Sequence, residues 1–169
     1  PLAPGEIYNS NAHMLQAAVS RSGGVAAASH APDDPGVLRE TLRSALSVAN
    51  LVVIAGGVSV GDRDYVKEVL AELGVELAFW RVKVKPGKPF LFGRTEEGTA
   101  IFGLPGNPVS AYVTFSLFVR PVIRRMMGFD VERAESAGEE AVAAEDLSNP
   151  GDRPHYLRGV VESGLLKLS

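Results

Sequence analysis

Leu51-Val-Val-Ile-Ala-Gly-Gly-Val-Ser-Val-Gly-Asp-Arg-Asp64 is an apolar run that breaks into a glycine-rich turn bearing one hydroxyl and two carboxylates. Leu51 to Ala55 is short and rich in β-branched residues, the pattern of a central strand covered on both faces. In open α/β sheets ligands bind beyond the carboxyl ends of the strands, and Gly56, Gly57 and Gly61 let backbone N–H groups approach a ligand with no Cβ in the way. Asp62 is a candidate N-cap for a helix reaching Leu73, in which Val66, Val69, Leu70 and Leu73 keep one apolar face.

Working outward toward the N-terminus, Asn9 or Ser10 can cap a helix carrying Met14, Leu15, Ala18 and Val19, stopped by Gly23-Gly24. A weakly apolar strand is expected over Val25 to Ala31. A second helix is expected from Pro35 to Ala49, after the Pro32-Asp-Asp-Pro-Gly36 turn, with Val37, Leu38, Leu42, Ala45 and Leu46 inward. This alternation is that of a parallel sheet with right-handed crossovers. Toward the C-terminus, Val75 to Val84 reads as a longer strand ending in Lys85-Pro-Gly-Lys-Pro89. Pro89 to Arg94 and Thr99 to Phe102 read as a hairpin-like pair, the second strand running into Gly103-Leu-Pro-Gly-Asn-Pro-Val-Ser110. Asn107 as N-cap and Pro108 at the first helical position open a helix to about Met127, closed by Gly128. Beyond it the chain is acidic and alanine-rich, with one strand expected near Ala141 to Ala144 and a hairpin of His155 to Val161 with Leu165 to Leu168.

The 169 residues, 46% hydrophobic, suffice for one ordinary core. No apolar run is long enough for a membrane span, and no signal peptide is evident, so no membrane partner and a cytoplasmic location are expected. With no cysteine there are neither disulfides nor thiolate metal sites. The net charge of -3 argues against general nucleic-acid binding, but its distribution is uneven. Arg81 to Arg94 holds five cations and no acid, whereas Asp130 to Asp152 holds eight acids. A basic loop on an acidic protein points to a small anionic ligand.

Three loops are expected to converge at one sheet edge: Gly56 to Asp64, Lys85 to Pro89 and Gly103 to Ser110. Backbone donors and helix starts there would favour a phosphate, with Lys85 and Lys88 beside the same anion. Asp62 and Asp64 read either as first-turn residues that complement the helix dipole or as metal or substrate ligands, since carboxylates near a phosphate call for a hard cation such as Mg2+. One of Asp33 and Asp34 is explained by capping, and the other is free to face the pocket. Ser59 is a turn hydroxyl or a phosphate donor. His13, His30 and His155 form no metal spacing, and there is no Gly-x-Ser-x-Gly elbow, Walker A loop or Gly-x-Gly-x-x-Gly fingerprint.

Gly56-Gly-Val-Ser-Val-Gly-Asp-Arg-Asp-Tyr65, Lys85-Pro-Gly-Lys-Pro89 and Gly103-Leu-Pro-Gly-Asn-Pro-Val-Ser110, with Glu6-Ile-Tyr-Asn-Ser-Asn11 and Asp33-Asp-Pro35, closely resemble the molybdopterin molybdenumtransferases, the MoeA and gephyrin E-domain family. The resemblance implies a three-layer α/β/α unit with a mostly parallel sheet over 1–128, and a linker with the start of a β-rich domain over 129–169. It implies Mg2+-dependent insertion of molybdate into adenylylated molybdopterin with release of AMP. It further implies that Asp34, Asp64, Lys85 and Lys88 act in catalysis, and that Gly56, Gly57, Ser59, Gly61, Pro105, Gly106, Asn107, Pro108 and Ser110 shape the pterin-phosphate pocket. Asp62 and Asp64 would hold the metal. A homodimer in the full-length protein, and contact with other molybdenum cofactor enzymes, would follow. The family's preceding Thr-Gly-Asp-Glu strand, its elongated N-terminal domains and most of its C-terminal β-barrel are absent from these residues, so a fragment or shortened relative is expected. Two other readings share the resemblance: a MogA-like molybdopterin adenylyltransferase and a non-catalytic, gephyrin-like scaffold module.

Overall fold

A computed structural model describes residues 8–58, 65–130 and 140–168. Helix α1 (Ser10–Arg21) starts where the Asn9 side chain accepts the Ala12 N–H, and ends as Gly23, at φ 96°, turns the chain. Helix α2 (Pro35–Val48) is capped by the Asp34 carboxylate accepting the Val37 N–H at 2.8 Å. Strand β1 (Leu51–Ala55) follows, then α3 (Val66–Glu72), β2 (Glu76–Trp80), β3 (Leu91–Arg94) and β4 (Ala100–Leu104). Helix α4 (Pro108–Thr114) has Asn107 as its N-cap and proline in its first turn.

The main sheet has the order β1-β4-β3-β2. β1 and β4 are parallel, whereas β3 is antiparallel to both β4 and β2. Side chains alternate across it. Phe102 and Leu104 pack with Leu15, Ala18, Phe115, Val119 and Ile123 on one face. Val52 and Ile101 pack with Leu42, Val66, Val69 and Leu70 on the other. The sheet is thus the middle of three layers, with α1 and the helix that begins at Pro108 on one side and α2 and α3 on the other.

Four expectations change in detail. Val25 to Ala31 forms no strand, because its alanines offer a sheet little apolar area and Val25 is fully exposed. β2 ends at Trp80, since Arg81 takes a left-handed φ of 88°. The helix opened by Asn107 passes through a π-helical turn (Phe115–Val119) before α5 (Arg120–Met126). Pro121 has no N–H for the carbonyl four residues back, and the hydrogen-bond register widens just ahead of it. Helix α3 has Tyr65 at its N-cap with no side-chain cap bond, and Asp62, expected to cap it, lies outside the described residues.

A second sheet, ordered β5-β7-β6, comprises β5 (Val142–Ala143), β6 (Gly159–Glu162) and β7 (Leu165–Leu168). It joins the first through the Lys85 loop: the Lys85 N–H donates to the Pro154 carbonyl and the Tyr156 N–H to the Lys85 carbonyl.

Candidate functional site

Parallel pairing brings the ends of β1 and β4 side by side, Ala55 opposite Leu104, and the Gly56 N–H extends the ladder by donating to the Leu104 carbonyl at 3.0 Å. Both chains then turn on glycine. Gly56 and Gly57 have φ of 88° and 65°, a region closed to most side chains. A Cβ on Gly56 would stand 3.9 Å from the Gly106 Cα, and one on Gly106 would stand 3.7 Å from the Gly56 Cα, so two bare backbones face each other across the rim.

The third segment arrives by antiparallel pairing. Leu91 lies opposite Gly103, so the chain entering β3 comes from the rim where β4 ends. Hydrogen bonds from Arg81 N–H to Phe90 carbonyl (2.7 Å) and Val82 N–H to Lys88 carbonyl (3.1 Å) close the loop that holds Lys85, Gly87 and Lys88. Its Lys85–Pro86 bond is cis. Gly87 is buried at φ 116°, with its Cβ direction 2.4 Å from the Thr114 Cγ2 and 3.8 Å from the Ser110 carbonyl, which seats the loop against the first turns of α4.

Lys85 and Lys88 are exposed, and no ion pair among the described residues involves them. Their loop packs against the first turns of a helix through Gly87, where oriented N–H groups add to the same positive field. Asn107 and Ser110 are already engaged: the Asn107 Oδ1 accepts the Ser110 N–H at 3.2 Å and its hydroxyl at 3.4 Å. Pro105 is buried beneath this turn, while Gly106, Asn107 and Pro108 are exposed on it. The hydrogen bonds described for Asp34 are those of its own helix start, with one carboxylate oxygen on the Val37 N–H.

Ser59, Gly61, Asp62 and Asp64 lie outside the described residues. Among the described residues, no group of three His, Cys, Asp or Glu is placed to hold a metal ion.

Two residues join the rim that composition and periodicity did not single out. The Asn11 Nδ2 donates to the Gly106 carbonyl at 2.7 Å, tying the start of α1 to the turn, while its Oδ1 is buried with no hydrogen-bond partner among the described residues. The Trp80 Nε1–H donates to the Val58 carbonyl at 3.0 Å. Asn11 occurs in the resemblance as the last residue of its first motif. For Trp80 the only signal was an aromatic at the end of a strand adjoining the lysine loop.

Residues 1–125 match the family model described as "Probable molybdopterin binding domain". The molybdopterin molybdenumtransferase of Nostoc sp. is 38% identical over 167 residues, covering 94% of this chain and 37% of the relative. That of Haemophilus influenzae is 40% identical over 160 residues, covering 94% and 39%. Among solved structures, the molybdopterin biosynthesis MoeA protein of Pyrococcus horikoshii superposes with a TM-score of 0.81 at 32% identity, over 98% of this chain and 40% of that one. The "tungsten cofactor synthesizing protein MoaB" of Pyrococcus furiosus shares the fold, with a TM-score of 0.54 at 19% identity over 73% of this chain and 87% of that one. The chain thus spans about two-fifths of the length of the two transferases it matches.

Proposed function

The chain belongs to the molybdopterin-binding domain family, and from that membership we propose that it is the substrate-holding α/β unit of an enzyme that inserts molybdate into adenylylated molybdopterin and releases AMP. The observation that carries this reading is the meeting of three turns at one rim: Gly56-Gly57 after β1, Gly106 after β4, and the lysine loop against α4. Both molybdate and the phosphoanhydride of an adenylylated substrate are anions. Lys85 and Lys88 neutralise them, and the bare backbones of Gly56, Gly57, Gly61 and Gly106 let N–H groups come within hydrogen-bonding distance.

Ser59 adds a hydroxyl donor, and Pro105, Asn107, Pro108 and Ser110 shape the adjoining wall. Asp34 and Asp64 are the acids of the reaction in this reading. Mg2+ held by Asp62 and Asp64 supplies charge neutralisation at the phosphates when bound. Homodimerisation of the full-length protein, a cytoplasmic location and contact with other enzymes of the pathway belong to the same proposal. No helix among the described residues is long and apolar enough to cross a membrane.

Calorimetric titration of the chain with AMP and with molybdate, with and without Mg2+, tests the proposal. Saturable binding of both is expected, weakened about tenfold or more by Lys88→Ala, because a hydrogen bond to a charged group is worth about 1.5–3 kcal/mol. Absence of heat with either anion would remove the proposed site. In the intact enzyme, Asp64→Asn supporting full cofactor formation would remove the acid's role. Mg-ATP-dependent adenylation of molybdopterin by the chain would favour the adenylyltransferase reading instead, and dimerisation without affinity for either anion would favour the scaffold.

A further inference from the structure

Trp80 is the chain's single tryptophan, and it stands at the end of β2 on the rim that holds the glycine turns. Val58, the residue after Gly56-Gly57, is gripped on two sides. Its side chain is 1% exposed and fills the space over Gly103, where a Cβ would come within 2.5 Å of it. Its carbonyl accepts the Trp80 Nε1–H at 3.0 Å. The indole is itself held, with the Lys67 ammonium 3.4 Å and the Arg81 guanidinium carbon 4.1 Å from the ring centroid. Arg81 adopts its left-handed φ of 88° in the residue directly after the tryptophan. A left-handed arginine is uncommon, and such backbone strain persists where the surroundings over-determine it.

We propose that Trp80 is a positioning residue of the candidate site: through the Val58 carbonyl it fixes where the backbone of Gly56 and Gly57 faces the Gly106 turn. Two consecutive positive-φ glycines have no side chains with which to hold their own conformation, so a bond to the next residue supplies the missing constraint. Lys67 and Arg81 hold the ring so that its single N–H has one direction available, and the cost of ordering the turn is met before a ligand arrives. The role as a site residue rests on the anion-binding function proposed above.

The test uses two variants of the full chain, Trp80→Phe and replacement of Trp80 by its benzothienyl isostere. The isostere keeps ring size and exchanges the N–H for sulfur, so it deletes the donor without emptying the space. Amide exchange at Gly56, Gly57 and Val58 in the free protein reads the anchor. Calorimetry with AMP and Mg2+ reads the site, and circular dichroism confirms the fold.

Exchange at those amides about tenfold faster, and an AMP dissociation constant several-fold to tenfold higher in both variants, is the result expected from the loss of one part-buried hydrogen bond. Exchange or affinity in the isostere equal to the parent's would overturn the inference while leaving the proposed function standing. A parent that binds no AMP would overturn the proposed function and with it the site role, and exchange would still decide whether Trp80 anchors the turn.

Discussion

At Gly87 a φ of 116° and a neighbouring methyl 2.4 Å from the Cβ direction act together against any side chain. The methyl cannot swing aside: Thr114 is fully buried, and its hydroxyl donates to the Ser110 or Ala111 carbonyl. Gly98 isolates the backbone share of this cost, since its φ is 93° with nothing within 4 Å. Gly98→Ala should therefore cost about 1 kcal/mol, and Gly87→Ala about 2–4 kcal/mol, because overpacking adds to the same backbone strain. Urea denaturation of both variants measures the difference. Equal losses would show that the lysine loop shifts freely away from α4. Lys85-Pro-Gly-Lys-Pro89 was legible as a loop after a strand, but not that Gly87 is where loop and helix touch, because contact between residues 27 apart in the chain leaves no local pattern. Asn11 makes the same point, as a side chain near the start of the chain bonded to a carbonyl 95 residues on.

Among the elements, the helix capped by Asn107 meets the lysine loop at Thr114 and depends most visibly on its first turn. The Asn107 Oδ1 satisfies the Ser110 N–H, and the Asn107 carbonyl accepts the Ala111 N–H. Asn107→Ala should cost about 1 kcal/mol, a fall of about 2–4 °C in melting temperature for a chain of this size, measured by thermal unfolding. Asn107→Ser should recover most of it, since serine caps as well. A larger loss, unrescued by serine, would mean that Asn107 carries contacts beyond its cap. This start was legible because capping chemistry is local: asparagine, proline and the following apolar spacing are read within one turn. The same holds for Asn9 and Asp34 at the other helices. Interruptions were less legible. The π-helical turn before Pro121 arises from a missing donor in an otherwise continuous apolar stripe, and β2 stops at Arg81 for a backbone angle that its side chain does not advertise. Val25 to Ala31 had enough small apolar residues to suggest a strand, but too little area to earn a place in the sheet.

For the molecule as a whole, layers and strand order follow from alternation of apolar runs with amphipathic helices, and the sheet's mixed character follows from the hairpin around Glu96-Glu97-Gly98. Charge organises it differently. With 17 basic and 20 acidic residues the protein repels a free anion at long range, so attraction must come from the rim alone, where Arg81, Lys83, Lys85 and Lys88 lie, while Arg94 stands at the far end of β3 opposite Ala100 and 3.9 Å from Glu76. Exposed charges act through a field that salt screens over about 8–10 Å at physiological ionic strength. The affinity for AMP or molybdate should therefore fall several-fold between about 50 and 300 mM NaCl. In a Lys85→Ala, Lys88→Ala double variant, the remaining weak binding should lose most of that salt dependence. Lys167→Ala is the control, because its ammonium is already paired with Glu162 at 2.7 Å in the second sheet. Calorimetry at several salt concentrations separates these outcomes. A double variant as salt-sensitive as the parent would place the attracting charge away from the lysine loop, and equal loss in the control would reduce the effect to net charge.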